Sequence, residues 1–266
     1  MAKLAFDDEM GRIQRALAQC HDMVARQSTV LQALNLRTGE RVLELGCGGG
    51  FYAREAGQFV GATGYVSAID ISADQIAVAR ERCAPLPWVE CQVADIMQLP
   101  HASAEFDAVY GVQVLEYMPD VGKALREIRR VLRPGGRLIN LATNWSSAVW
   151  HSRHPERMKR VLAEWAAHAP YLDLPAILAA ELRKAGLQPL RQLPVPVLNM
   201  SYNENSFSYW VARMIARFVA GRGAVAREEA DGWLAEFSLL ETDAEYFFSS
   251  MPVLTEAVKI QDVRGS

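Results

Sequence analysis

Three acids in the first half of the chain, Glu44, Asp70 and Asp95, each close an apolar run, and the first leads straight into Gly46-Cys47-Gly48-Gly49-Gly50. A carboxylate offers two acceptor oxygens to hydroxyl, amino or ammonium groups, and a glycine turn removes the Cβ atoms that would keep a ligand off the backbone. A helix predicted from about 51 to 59 would aim its N-terminal amides at whatever sits on that turn. Glu44 favours a ligand with a cationic end over a pyrophosphate, which prefers donors and positive dipoles. The turn alone does not decide, because Gly48-Gly49-Gly50-Phe51-Tyr52-Ala53 also satisfies a loosened G-x-G-x-x-A dinucleotide fingerprint.

Other chemistry-bearing residues are fewer. His151 and His154 follow the fifth predicted strand and are the candidate general bases, since a neutral imidazole can take a hydroxyl proton near neutral pH. A surface or capping role is the alternative for both. His21, His101 and His168 receive no role. Cys47 reads as a small filler of the turn, because no His or Lys stands beside it to lower its pKa. Cys20, Cys47, Cys83 and Cys91 show neither a C-x-x-C pair nor metal-ligand spacing, so neither a zinc site nor a disulfide framework is expected.

The elements that must position these groups follow from periodicity. Strands are predicted at 41–45, 65–70, 88–95, 106–111 and 137–143, separated by helical patterns, among them 120–132, which Arg133-Pro134-Gly135-Gly136 should stop. This alternation implies repeated βαβ units and an α/β fold: a Rossmann-like, doubly wound, mostly parallel seven-stranded sheet with helices on both faces. Ligands of such sheets bind at the carboxyl ends of the strands, where Glu44, Asp70 and Asp95 fall. Apolar spacing over Leu4–Leu34 predicts N-terminal helices that cover a sheet edge or form a lid, with Arg26 or Gln27 as lid contacts. With 266 residues, half of them hydrophobic, one large domain with an insertion is expected.

Several ordered motifs together resemble the class I S-adenosylmethionine-dependent methyltransferases, of the type related to the ubiquinone and menaquinone biosynthesis enzymes. They are Glu44-Leu-Gly-Cys-Gly-Gly-Gly50, Val66-Ser-Ala-Ile-Asp70, Ala94-Asp95-Ile96 with Leu99-Pro100, Phe106-Asp-Ala-Val109 and Glu127-Ile-Arg-Arg-Val-Leu-Arg-Pro-Gly-Gly136. The resemblance implies S-adenosylmethionine as cofactor and S-adenosylhomocysteine as product. It implies that Glu44, Gly46, Cys47 and Gly48 surround the methionine part, that Asp70 accepts from the ribose hydroxyls, and that Asp95 accepts from the adenine amino group. Ile71 and Ile96 would sandwich the ring, and Gly111 and Gln113 would face the methionine end. Helix capping by Asp70 and Asp95, and core packing by Ile71 and Ile96, are the alternatives.

The implied activity is methyl transfer to a small-molecule acceptor by in-line displacement, catalysed mainly by alignment. Rival readings are an NAD(P)-dependent oxidoreductase with a Rossmann fold and a catalytically inactive cofactor-binding protein. Aromatic residues between 199 and 248 suggest a helical cap insertion for a flat apolar or aromatic acceptor, with Trp145, Tyr202, Tyr209 and Trp210 as candidate contacts; simple packing is the competing reading. The expected organisation is an N-terminal cover over 1–36, a cofactor-binding core over 37–200, a cap over 201–248 and a last strand and tail over 249–266. Net charge is −3, so nucleic acid is not the expected partner, and Arg126, Arg129, Arg130, Arg133 and Arg137 read as a solvated helix face. No leader or membrane span is expected, which points to the cytoplasm, and a homodimer is compatible with the sequence.

Overall fold

A computed structural model describes residues 8–260. The expected helix contacts Leu4 and Phe6 therefore lie outside the described residues.

Strand β1 (Arg41–Leu45) is the centre of the architecture. Val42, Leu43 and Leu45 are fully buried, each such side chain contributing roughly 1.5–3 kcal/mol of hydrophobic stabilisation. It pairs in parallel with β2 (Tyr65–Asp70) on one side and β4 (Phe106–Val112) on the other. β3 (Val89–Val93) pairs in parallel with β2, and β5 (Leu132–Trp150) with β4. Between them run α3 (Phe51–Val60), α4 (Ala73–Cys83) and α5 (Val121–Val131). The order is β3-β2-β1-β4-β5-β8-β6, where β6 is Gln188–Pro194 and β8 is Phe248–Val258. That path has seven strands, as expected, and an eighth, β7 (Val197–Asn199), pairs with β8. Chain order reverses between β1 and β4, the place where doubly wound sheets open a ligand crevice.

The remaining helices are α1 (Asp8–Leu17), α2 (His21–Leu34), α6 (Pro155–Trp165), α7 (Leu174–Lys184), α8 (Phe207–Val219) and α9 (Arg227–Thr242). Packing divides the chain into two units. Among the described residues, the sheet unit holds 27–143, 173–194 and 253–260; the cap unit holds 8–26, 144–172 and 195–252. In the cap unit α1 lies along α8, and α8 packs on α6 and α9. No helix among the described residues is long and apolar enough to cross a membrane.

Two expectations need correction. The helix does stop before Arg133-Pro134-Gly135-Gly136, but β5 begins at Leu132 and not at Arg137, and the register with β4 jumps from Phe106↔Leu132 to Ala108↔Arg137. Gly135, at φ 77°, gives its N–H to Lys259 O, and Lys259 N–H returns to Gly136 O, so the irregular stretch is still paired. The arginines are not a merely solvated face either. Arg137 binds Glu40 and the carbonyls of Leu34 and Asn35, Arg130 binds Glu127 and two loop carbonyls, and Arg133 pairs with Asp107. The spacing of charges reports which residues share a helix face but not which acids another strand brings to them.

Candidate cofactor site and cap cavity

The end of β1 turns through Gly46 (φ 63°), Gly48 (φ 50°) and Gly50 (φ 76°), left-handed conformations that cost a residue with a Cβ about 1–2 kcal/mol. Their surroundings differ. A Cβ on Gly46 would stand 2.5 Å from Val114 Cγ2, and one on Gly50 would stand 2.9 Å from Ala79 Cβ. At Gly48 it would meet nothing within 4 Å. A Cβ would thus find open space at Gly48, whereas at Gly46 the room belongs to Val114. The Cβ direction of Gly111 is filled in the same way, by Val114 Cγ1 at 2.7 Å and Leu45 Cβ at 3.5 Å.

Asp70 closes the turn. Its Oδ2 accepts from Gly48 N–H and its Oδ1 from Ser72 N–H, both at 2.9 Å, which ties the end of β2 to the glycine turn. It does not cap α4; Ser72 does, accepting from Gln75 N–H. Asp95 accepts from Met97 N–H through Oδ1 at 2.8 Å and thereby caps the 3-10 turn Ile96–Gln98, so the capping alternative holds for one of its oxygens. Ile71 is 73% exposed beside Asp70, an apolar surface with nothing covering it, whereas Ile96 is 6% exposed and packs into the core. The expected two-sided sandwich of a ring is thus reduced to Ile71 on one side. Gln113, at φ 56°, spends its amide on Thr143: Nε2 donates to Oγ1, and Oε1 accepts from Thr143 N–H. It clasps the end of β4 to the middle of β5.

Glu44 lies under the turn at 3% exposure, and burial holds its carboxyl well above the usual range against the opposing pull of the Tyr110 hydroxyl. Its Oε2 has no well-formed hydrogen bond and no cationic side chain among the described residues pairs with it. An ammonium in the crevice would supply the missing counter-charge. Cys47 is buried beside it, and burial, with Glu44 and Asp70, pushes its thiol up, away from the thiolate form. The donor set fits S-adenosylmethionine: open backbone at Gly48, acceptors on Asp70 and Asp95, an exposed apolar side chain at Ile71 and a buried acid lacking a cation.

Sequence reasoning missed the parts that brace this site. Arg82 donates to Gly49 O at 2.7 Å and lies 3.5 Å over the Phe51 ring. Glu127 accepts from Leu99 N–H at 2.9 Å while Arg130 donates to Leu99 O and His101 O, clamping the loop that carries Asp95. The i,i+3 spacing of Glu127 and Arg130 was the available signal. Val114 gave none.

The catalytic and substrate candidates fall in the cap unit. His151 and His154 are exposed; His154 stands at the N-cap of α6 without a side-chain capping bond. His151 lines a cavity of about 530 Å3 with Trp150, Met158 and Phe247. Trp145 packs edge-on against Trp165 and His168. Tyr202 is buried at 8% exposure and takes a 2.8 Å bond from Arg213, whose guanidinium lies 3.5 Å over Tyr209. Trp210 donates to Glu204 O at 2.8 Å. All four aromatics are engaged in packing or hydrogen bonds inside the cap unit. Arg26, the expected lid contact, is buried with its guanidinium 4.8 Å over Phe207.

The strand order, the positive-φ turn and the acids at successive strand ends are those of the class I methyltransferase fold, and residues 43–140 match the family model described as a methyltransferase domain. Among curated relatives, the methyltransferase GfsG of Streptomyces halstedii is 36% identical over 125 residues, covering 46% of this chain and 44% of the relative. The 27-O-demethylrifamycin SV methyltransferase of Amycolatopsis mediterranei is 36% identical over 136 residues, 50% of this chain and 47% of the relative. The demethylmenaquinone methyltransferase of Staphylococcus aureus is 35% identical over 115 residues, 43% and 48%. The matched stretch thus spans less than half of each of these relatives' length. The [4+2]-cyclase SpnF superposes with a TM-score of 0.60 at 25% identity over 90% of this chain and 82% of its own. The geranyl diphosphate C-methyltransferase of Streptomyces coelicolor, solved with S-adenosylhomocysteine, gives 0.55 at 17% identity over 90% and 76%, which is a likeness of fold.

Proposed function

We propose that this protein transfers the methyl group of S-adenosylmethionine to a small-molecule acceptor with an apolar or aromatic body. The observation that carries the reading is the arrangement at Gly48, where open space, the Asp70 carboxylate and the exposed Ile71 side chain adjoin one turn. The cofactor supplies an electrophilic methyl on a sulfonium with a neutral thioether as leaving group.

Each residue has a definite task. Asp70 keeps its backbone bonds and accepts from ribose hydroxyls with its remaining lone pairs; Asp95 turns its second oxygen to the adenine amino group. Ile71 covers one ring face. An ammonium bound in the crevice would offset the burial that keeps the Glu44 carboxyl protonated and favour its ionised form, and the backbone of Gly46, Cys47, Gly48, Gly111 and Gln113 would line the methionine end. Alignment of the acceptor with the methyl and exclusion of water do the rest, so no metal or covalent intermediate is invoked. For a hydroxyl acceptor, His151 or His154 takes the proton, and Trp145, Tyr202, Tyr209 and Trp210 shape the acceptor's surroundings.

Titration calorimetry with S-adenosylmethionine, S-adenosylhomocysteine and NAD tests the cofactor. Binding of the first two and not of NAD is expected, and Asp70→Ala should weaken it by about 1–3 kcal/mol, the cost of unpaired hydroxyls. NAD binding alone would overturn the reading. Because a structural relative is described as a cyclase, fold does not fix the reaction. A substrate panel read by mass spectrometry for a product heavier by CH2 supplies that test.

A further inference from the structure

The cap unit carries an open cleft with aromatic lining. Its floor is Trp150, at 6% exposure, whose ring lies 4.3 Å from Phe248 and stacks at 6.3 Å and 25° on Phe237. Met158 and Phe247 complete apolar walls, with Val149 half exposed at the rim. A volume of about 530 Å3 lies within the range that holds a drug-sized ligand.

The wall from 151 to 154 is held in place from behind. His151 N–H bonds Phe247 O at 3.0 Å, and the buried Glu236 accepts from Ser152 Oγ at 2.9 Å, from Arg153 N–H at 2.6 Å and from Arg157 at 2.6 Å. Arg157 neutralises Glu236, so this acid adds little negative field to the cavity. No carboxylate is among the lining residues, which do include Lys159 and His151. Lys159 makes no ion pair among the described residues, unlike Arg153, Arg157 and Arg160 nearby, each of which has an acid.

An apolar cleft with an unspent ammonium at its edge is complementary to one kind of occupant. We infer that this cavity binds a flat, apolar small molecule carrying a carboxylate, its body on Trp150, Met158 and Phe247 and its head on Lys159. The ammonium stands on a flexible stem that can follow the carboxylate, and the charge-assisted bond forms beside low-polarity walls that strengthen it.

Calorimetry on the whole protein with 2-naphthoate, and with the uncharged isostere 2-naphthamide, tests the inference with no methyl donor present. Its outcome is therefore separate from that of the methyl-transfer reading. Naphthoate should bind about tenfold more tightly than the amide, the effect of one charge-assisted bond beside an apolar surface. Lys159→Met should remove that difference while leaving amide binding in place. Val149→Trp, which fills the rim, should weaken both ligands. Both substituted positions are exposed, so the fold is not at stake. Equal affinity for acid and amide, indifference to Lys159→Met, or absence of naphthoate binding at millimolar concentration would each overturn the inference.

Discussion

The glycine-turn site and the aromatic cap are held by different forces. At the turn, positions are fixed by backbone: positive-φ glycines, N–H groups on Asp70, and Val114 filling the space beside Gly46. In the cap, side chains do the work: Trp150 on Phe248, Trp165 flat on His168 at 3.7 Å, and Glu236 gathering Ser152, Arg153 and Arg157. Backbone scaffolding tolerates almost no substitution at its few special positions. Side-chain packing spreads the same demand over many residues, so it yields gradually and responds to charge.

Four perturbations would break or sharpen this contrast. The largest is Gly46→Ala, which adds a positive-φ penalty to a collision with Val114 and should cost about 4 kcal/mol in urea unfolding. Adding Val114→Ala should return the collision part only; full recovery would mean that φ carries no cost there. Next comes acid. Burial lowers the His168 pKa from 6.5 to about 4, so the folded state binds fewer protons than the unfolded one. Stability is complete above pH 6.5 and falls as pH drops toward 4, by up to about 3 kcal/mol over that interval at about 1.4 kcal/mol per unit. Tryptophan emission followed through denaturation across that range reads the loss, and His168→Gln should flatten it; an unchanged slope would move the acid sensitivity elsewhere.

A smaller effect is expected at the loop clamp. Glu127→Ala leaves Leu99 N–H and Arg130 without their acceptor and should cost about 1–2 kcal/mol, seen as faster amide exchange over 95–101. Hydrogen bonds from Arg130 hold the Glu127 carboxyl below its ordinary 4.5, so its contribution is present above that pH and fades as pH falls through the lower folded value. Smallest is His154→Ala, an exposed N-cap residue with no side-chain capping bond, for which a stability change within about 0.5 kcal/mol is expected by thermal melting. A larger loss would show a side-chain role that its surroundings do not reveal.

Much of the fold was legible because its signals are local. Asp120, Ser72 and the apolar face of 121–131 announce helices, and Val42, Leu43 and Leu45 announce a buried strand. The acids at strand ends were legible for the same reason. The surroundings of Ile96, Gly111, Gln113, Arg133 and Arg137 were not, since each depends on a partner from another strand or helix. Tyr202, Tyr209 and Trp210 were visible as aromatics, but nothing in their spacing separates a packed ring from one that meets a ligand.

The sequence by itself determined the βαβ alternation, the conformation of the glycine turn and the order of Glu44, Asp70 and Asp95 along the strands, because these follow from dihedral preference and periodicity within short stretches. Long-range packing sets that Gly48 opens to space while Gly46 and Gly50 are filled, that Ile71 is exposed while Ile96 is buried, and that Lys159 makes no ion pair among the described residues beside a cleft lined by Trp150. Those outcomes depend on which atoms from distant parts of the chain arrive at the same place, and burial and charge pairing are properties of that arrival.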